Sequence, residues 1–319
     1  MPNFKVKITN IQRNTMHSLQ QSENSNDVPV VLALVTAMLF WGASWISGKI
    51  IADMAPAKLT VFYRLALATV SMLPILFFVH KLKLVKLRFS QPAMLWSLPA
   101  GLLLAGYNQL FFLGLHDGLP GKGGMLVTTI NPIMTFALAA IFNQQKFRPL
   151  QLVGMLLGLT GGMMMIEIWH FDHQQVFASG NLFFILAALS WAFLTLVSQR
   201  GTQFADFMTF SALMYLWASI LSYIFAVEHS PLSSISHYPA LYWQHMLFLS
   251  VIVVSIATSV FFLANQKIGP SRSSSFIFVV PVTAMGLSVW YFDETIPLSV
   301  AFGGAFALAA VYLINTSKQ

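Results

Sequence analysis

The stretch Val28–Ala52, VPVVLALVTAMLFWGASWISGKIIA, decides the fold. Its only charge is Lys49, close to the far end. About 20 mostly apolar residues suffice for a helix to cross the hydrocarbon of a bilayer, and this run exceeds that. The residues before it, 1–27, are polar and rich in Asn, Gln and Ser. They lack the apolar centre of a signal peptide. They read as a disordered cytoplasmic tail, followed by a first span that is not cleaved.

Nine further runs of the same kind follow, over 56–79, 92–115, 120–142, 149–168, 178–199, 206–227, 242–265, 270–292 and 296–315. The links between them are short and hold the Pro, Gly, Asn and Asp of turns. The whole chain of 319 residues is 57% hydrophobic and 8% charged, whereas a soluble domain carries about 25% charged residues. In water such a chain could not cover its own surface. In lipid, backbone groups must find partners within the membrane segment, and that demands helices where the alternation of a barrel strand is missing. The sequence therefore predicts an all-α membrane protein with ten transmembrane helices.

The distribution of Lys and Arg orients it. With the amino terminus in the cytoplasm, 13 of the 17 basic residues fall on that side. Only Lys49, Lys58 and Lys122 fall on the other, and Arg64 lies inside the second span. This is a positive-inside pattern with both ends on the basic side, so the number of spans is even. The net charge of +7 is thus accounted for by topology. No basic stripe interleaved with aromatics calls for nucleic acid. Cysteine is absent, which excludes disulfides and thiolate chemistry. Compactness and the short polar tail point to the inner membrane of a bacterium. Monomer and homodimer both stay open.

The chain also echoes itself. At a shift of 150 residues Trp41 falls on Trp191, Phe111-Phe112 on Phe261-Phe262 and Pro120 on Pro270. At 149 residues Pro132 falls on Pro281 and Gly154 on Gly303. Two repeats follow, 28–168 and 178–315, each of five helices. An odd number inverts the second copy, and inverted repeats mark alternating-access carriers whose substrate sits near the midplane.

Within the spans, Arg64 stands out. It lies about eight residues into the second helix, roughly 12 Å deep, where a charge needs water or a partner. One reading is a cation facing a polar cavity, able to hold a carboxylate or phosphate. The other is a structural arginine that caps carbonyls or snorkels outward. No acidic residue or histidine lies at the centre of a span. Proton-coupled carriers use such groups, so facilitated transport or exchange is favoured here. The same absence argues against an enzyme, a metal centre and any cofactor.

Tyr107 and Asn108 in the third helix, Asn131 in the fourth, and Ser255, Thr258 and Ser259 in the eighth are further candidates. A primary amide in lipid needs several partners. Cavity lining and interhelical hydrogen bonding are the competing explanations. Trp41 and Trp191 sit too deep for an interfacial belt and suit either a cavity wall or core packing. The candidate substrate-binding set is Trp41, Arg64, Tyr107, Asn108, Asn131, Trp191 and Ser259.

Several of these residues carry a resemblance. The chain resembles the EamA family of the drug/metabolite transporter superfamily through Phe40-Trp41-Gly42 with Ser44 and Lys49, Phe62-Tyr63-Arg64 and Asn131-Pro132. In the second copy Gly180-Asn181, Leu189-Ser190-Trp191-Ala192, Ile268-Gly269-Pro270-Ser271, Val280-Pro281 and Asp293-Glu294 carry it. The resemblance implies a ten-helix carrier of two inverted repeats that exports or exchanges amino acids, other small metabolites or drugs. Nucleotide sugars and S-adenosylmethionine are cargoes of related carriers. One departure is Asn143-Gln144-Gln145-Lys146, where the first copy lacks the acidic residue seen at Asp293-Glu294. The expected function is a carrier of amino acids or related zwitterions working by alternating access. Its competitor is a membrane receptor or assembly factor that moves nothing.

Overall fold

In the computed structural model residues 28–83, 85–117, 120–165, 167–170, 179–292 and 297–316 are described. The tail 1–27 and the acidic pair Asp293-Glu294 lie outside them. The described residues form helices and no strand. In chain order these are α1 (Val28–Ala52), α2 (Ala57–Lys81), α3 (Gln91–Asp117), α4 (Pro120–Phe142) and α5 (Pro149–Met165). After them come α6 (Ser179–Gly201), α7 (Phe207–Ala226) and α8 (Ala240–Ile268). Next is α9, built of Pro270–Ser275, a tight turn Phe276–Phe278, and Val279–Phe292. Last is α10 (Leu298–Thr316).

Seven helices among the described residues are long and apolar enough to cross a membrane: α1, α2, α3, α6, α7, α8 and α10. The apolar parts Leu126–Phe142 and Pro149–Met165 are shorter. Large apolar side chains cover the outside. Leu73, Leu95, Leu156 and Leu298 are 64%, 73%, 61% and 77% exposed. In water each would forfeit about 25 cal/mol per Å² of apolar surface; against lipid tails, as apolar as leucine itself, nothing is lost.

Small residues and short polar bonds hold the interior, as expected where hydrophobic contrast between helices is missing. The helix α10 lies along α5, α3 packs on α6 and α7, α4 on α6, and α2 on α7 and α8. Between α5 and α10 a Cβ on Gly161 would lie 2.6 Å from the carbonyl oxygen of Gly303, and one on Gly303 2.5 Å from that of Gly161. Only glycine lets the two backbones approach this closely. Ser190 donates to the Leu103 carbonyl at 2.8 Å and ties α6 to α3.

The middle of α8 departs from the expected α-helix. Phe248–Thr258 is a π-helix, a form rare in proteins and concentrated near functional sites. Side-chain bonds follow the wider winding. Ser255 reaches the Ser250 carbonyl at 3.1 Å and Thr258 the Val253 carbonyl at 3.0 Å, each five residues back. Neighbours secure the segment. Tyr215 of α7 donates to the Val254 carbonyl at 2.8 Å, and Ser255 lies 2.7 Å from Ser71 of α2.

Candidate functional site

A cavity of about 50 Å³ opens where α1, α2, α3, α4, α6, α8 and α9 meet. A water molecule needs about 10–15 Å³ of such space, so the cavity has room for a few. Each helix reaches it through a short face. The helix α1 contributes Trp41, Ser44 and Trp45, spaced three and four apart as one helical face requires. The helix α3 contributes Leu104, Tyr107, Asn108 and Phe111 on the same spacing. From α4 come Val127, Thr128 and Asn131, and from α6 Trp191. The π segment of α8 supplies Val253, Val254 and Thr258, and the tight turn in α9 brings Ile277 to the wall.

Aromatic rings dominate one side. Trp41 and Trp191 meet edge to face with centroids 4.9 Å apart. Tyr107 meets Trp191 at 4.7 Å and Trp45 meets Phe111 at 4.7 Å. Such pairs add about 0.5–1.5 kcal/mol beyond burial, and they fix the rings without polar bonds.

Arg64 enters this apolar wall from α2. It is 5% exposed, and its guanidinium carbon lies 5.9 Å from the Phe111 ring centre and 5.8 Å from that of Phe112. Its Nε has no hydrogen-bond partner. Among the described residues no carboxylate pairs with it. With its Nε unpartnered and no carboxylate beside it, this buried cation is undercompensated.

Two more polar atoms in the wall are unpartnered. Asn108 Nδ2 donates to the Leu104 carbonyl at 2.8 Å, and its Oδ1 has no donor. Trp191 Nε1 has no acceptor. Asn131 differs, because its amide is in use. It donates to the Ala188 carbonyl of α6 at 3.2 Å and its Oδ1 lies 3.5 Å from Thr135. Asn131 thus lines the cavity and also joins α4 to α6.

Six of the seven residues named from sequence line this one cavity: Trp41, Arg64, Tyr107, Asn108, Asn131 and Trp191. Ser259 does not. It is turned to α7, where its hydroxyl lies 3.2 Å from that of Tyr215. Trp45 and Phe111 line it too, each four residues beyond another aromatic of the wall, Trp41 or Tyr107. A second recess of about 400 Å³ is flanked by Ser47, Gln244 and His245. His245 there lies 3.2 Å from the Ser47 hydroxyl, and no unpartnered buried atom faces the recess.

The model of the EamA-like transporter family matches twice, over residues 28–166 and 178–316. An uncharacterized transporter of Bacillus subtilis (strain 168), YoaV, is 23% identical over 288 residues, covering 90% of this chain and 96% of its own length. Protein RarD of Escherichia coli (strain K12) is 23% identical over 264 residues, covering 83% of this chain and 86% of its own. A solved crystal structure of another protein superposes with a TM-score of 0.68 at 19% identity, covering 91% of this chain and 99% of that one. That likeness shows a shared fold.

Proposed function

The chain belongs to the EamA-like transporter family and is a multi-pass membrane protein; from that premise we propose that it carries small metabolites, amino acids or related zwitterions, by alternating access around the central cavity. Arg64 carries the reading. A fully charged side chain buried in an apolar wall without a carboxylate partner is stabilised by a ligand that brings the negative charge. A carboxylate is the simplest such group.

Ten spans in two inverted five-helix repeats, with both termini cytoplasmic in an inner membrane, form the proposed framework. The two family matches of equal length support it. So do the pairings of α2 with α7 and α5 with α10, since these are the second and fifth helices of each match. The cavity takes residues from both matches, where the rocking of one half against the other would expose it to either side. The cavity has room for a few water molecules, and in this reading its walls part to admit cargo.

Reconstitution into proteoliposomes tests this. Vesicles loaded with the common amino acids and related metabolites should lose specific members of the panel only when the protein is present. Arg64→Ala should slow that flux about ten- to a hundredfold, the worth of a charge-assisted hydrogen bond. Full flux of a carboxylate cargo through Arg64→Ala would remove Arg64 from the mechanism.

A further inference from the structure

Seven buried side-chain polar atoms among the described residues lack a hydrogen-bond partner, and three of them are on residues that line the central cavity. They sit on three helices: Arg64 Nε on α2, Asn108 Oδ1 on α3 and Trp191 Nε1 on α6. Their residues are 5%, 1% and 5% exposed. Each such atom costs the protein about 1–3 kcal/mol when nothing pairs with it. Packing alone would have placed leucine or phenylalanine there.

The chemistry of the three atoms is not uniform. Arg64 Nε and Trp191 Nε1 can only donate, while Asn108 Oδ1 can only accept. A phosphate or a plain carboxylate would satisfy the two donors and leave the amide oxygen unpaired. A ligand that satisfies all three offers acceptors at one end and an N–H donor close by. A carboxylate with a neighbouring ammonium has this pattern, and the aromatic rings of Trp41, Trp45 and Tyr107 that line the cavity are groups a cation can approach.

We infer that Asn108 sets the specificity of the carrier, its Oδ1 accepting from the substrate ammonium while Arg64 and Trp191 share the carboxylate. The inference rests on the reading of the site as an amino-acid cavity. It adds that the protein rejects the same molecule without its amino group. Asn108 is suited to the task because its own amide hydrogen is held by Leu104 within α3, which fixes the orientation of the side chain. The discrimination arises as in any site built to bond a polar group: a ligand lacking that group leaves the buried partner unpaired.

The test uses the full chain in proteoliposomes. The amino acid that exits fastest from a loaded mixture is labelled, and its counterflow is challenged with the unlabelled amino acid and with its des-amino carboxylate. In the wild type the des-amino compound should compete at least about tenfold more weakly. In Asn108→Leu the two competitors should become nearly equal. Asn108→Asp keeps an acceptor and should keep the preference, which covers the case in which the leucine variant does not fold. An unchanged preference in Asn108→Leu, or a lost one in Asn108→Asp, overturns the assignment while leaving the carrier in place. A wild type that moves no amino acid overturns the substrate reading itself, and this inference with it.

Discussion

Gly161 and Gly303 show what a single residue can decide in lipid. A Cβ on either one would press within 2.6 Å or 2.5 Å of the other's carbonyl oxygen, and backbone, unlike a flexible side chain, does not move aside. Gly161→Val should separate α5 from α10 and lower stability by about 1–3 kcal/mol. Thermal unfolding in detergent would register this as a clear drop in midpoint, and an unchanged midpoint would mean the helices do not meet so closely. At this scale the sequence was partly readable. Depth along a helix follows from counting residues, so Arg64, Asn108, Asn131 and Trp191 were identified as deep. Direction around a helix follows from its winding, and the π segment Phe248–Thr258 shifts the register of α8 just before Ser259. Ser259 was therefore assigned to the cavity although it faces Tyr215. Which polar atoms stay unpartnered is likewise invisible in sequence, because Asn108 and Asn131 look alike until their neighbours are known.

The elements depend on their ends and on their winding. Asp206 caps α7 by accepting from the backbone amides of Met208 at 3.1 Å and Thr209 at 3.0 Å. It also accepts from the backbone amide of Arg88, at 2.6 Å, in the link before α3. One carboxylate thus starts one helix and holds the approach to another. Asp206→Ala should cost about 1–2 kcal/mol and raise protease cleavage between α2 and α3. A melting curve and a limited digest check both effects, and Asp206→Asn should retain much of the cap. Element positions were legible because apolar runs and turn residues mark them. The winding of α8 was not. Both α and π helices satisfy the backbone within the segment, as lipid demands, and the apolar pattern of Phe248–Thr258 does not distinguish them. The choice shows only in tertiary bonds, where Tyr215 takes up the Val254 carbonyl and Ser71 meets Ser255. The tight turn Phe276–Phe278 in α9 is equally silent in sequence, although it brings Ile277 to the cavity.

The molecule as a whole is arranged around one junction. Helices of both family matches pack on each other there and together supply the wall of the cavity. That the family pattern recurs in two units of sequence could be read from the spacing of Trp41 and Trp191, Phe111 and Phe261, Pro132 and Pro281, because a repeat preserves landmarks where identity has faded. How the units face each other could not, since packing of α3 on α6 and α7 depends on surfaces drawn from both. Trp41 and Trp191 are rings from opposite units in edge contact, 4.9 Å apart. An indole's emission responds to the polarity and the rings around it, so the junction carries its own optical gauge. Any shift of one unit against the other, or entry of cargo between them, should change the colour and intensity of tryptophan light without an added label. Trp191→Phe should weaken that response, with Trp41 and Trp45 of the same wall supplying the rest, and a fluorimeter titration with the transported compound would read it directly.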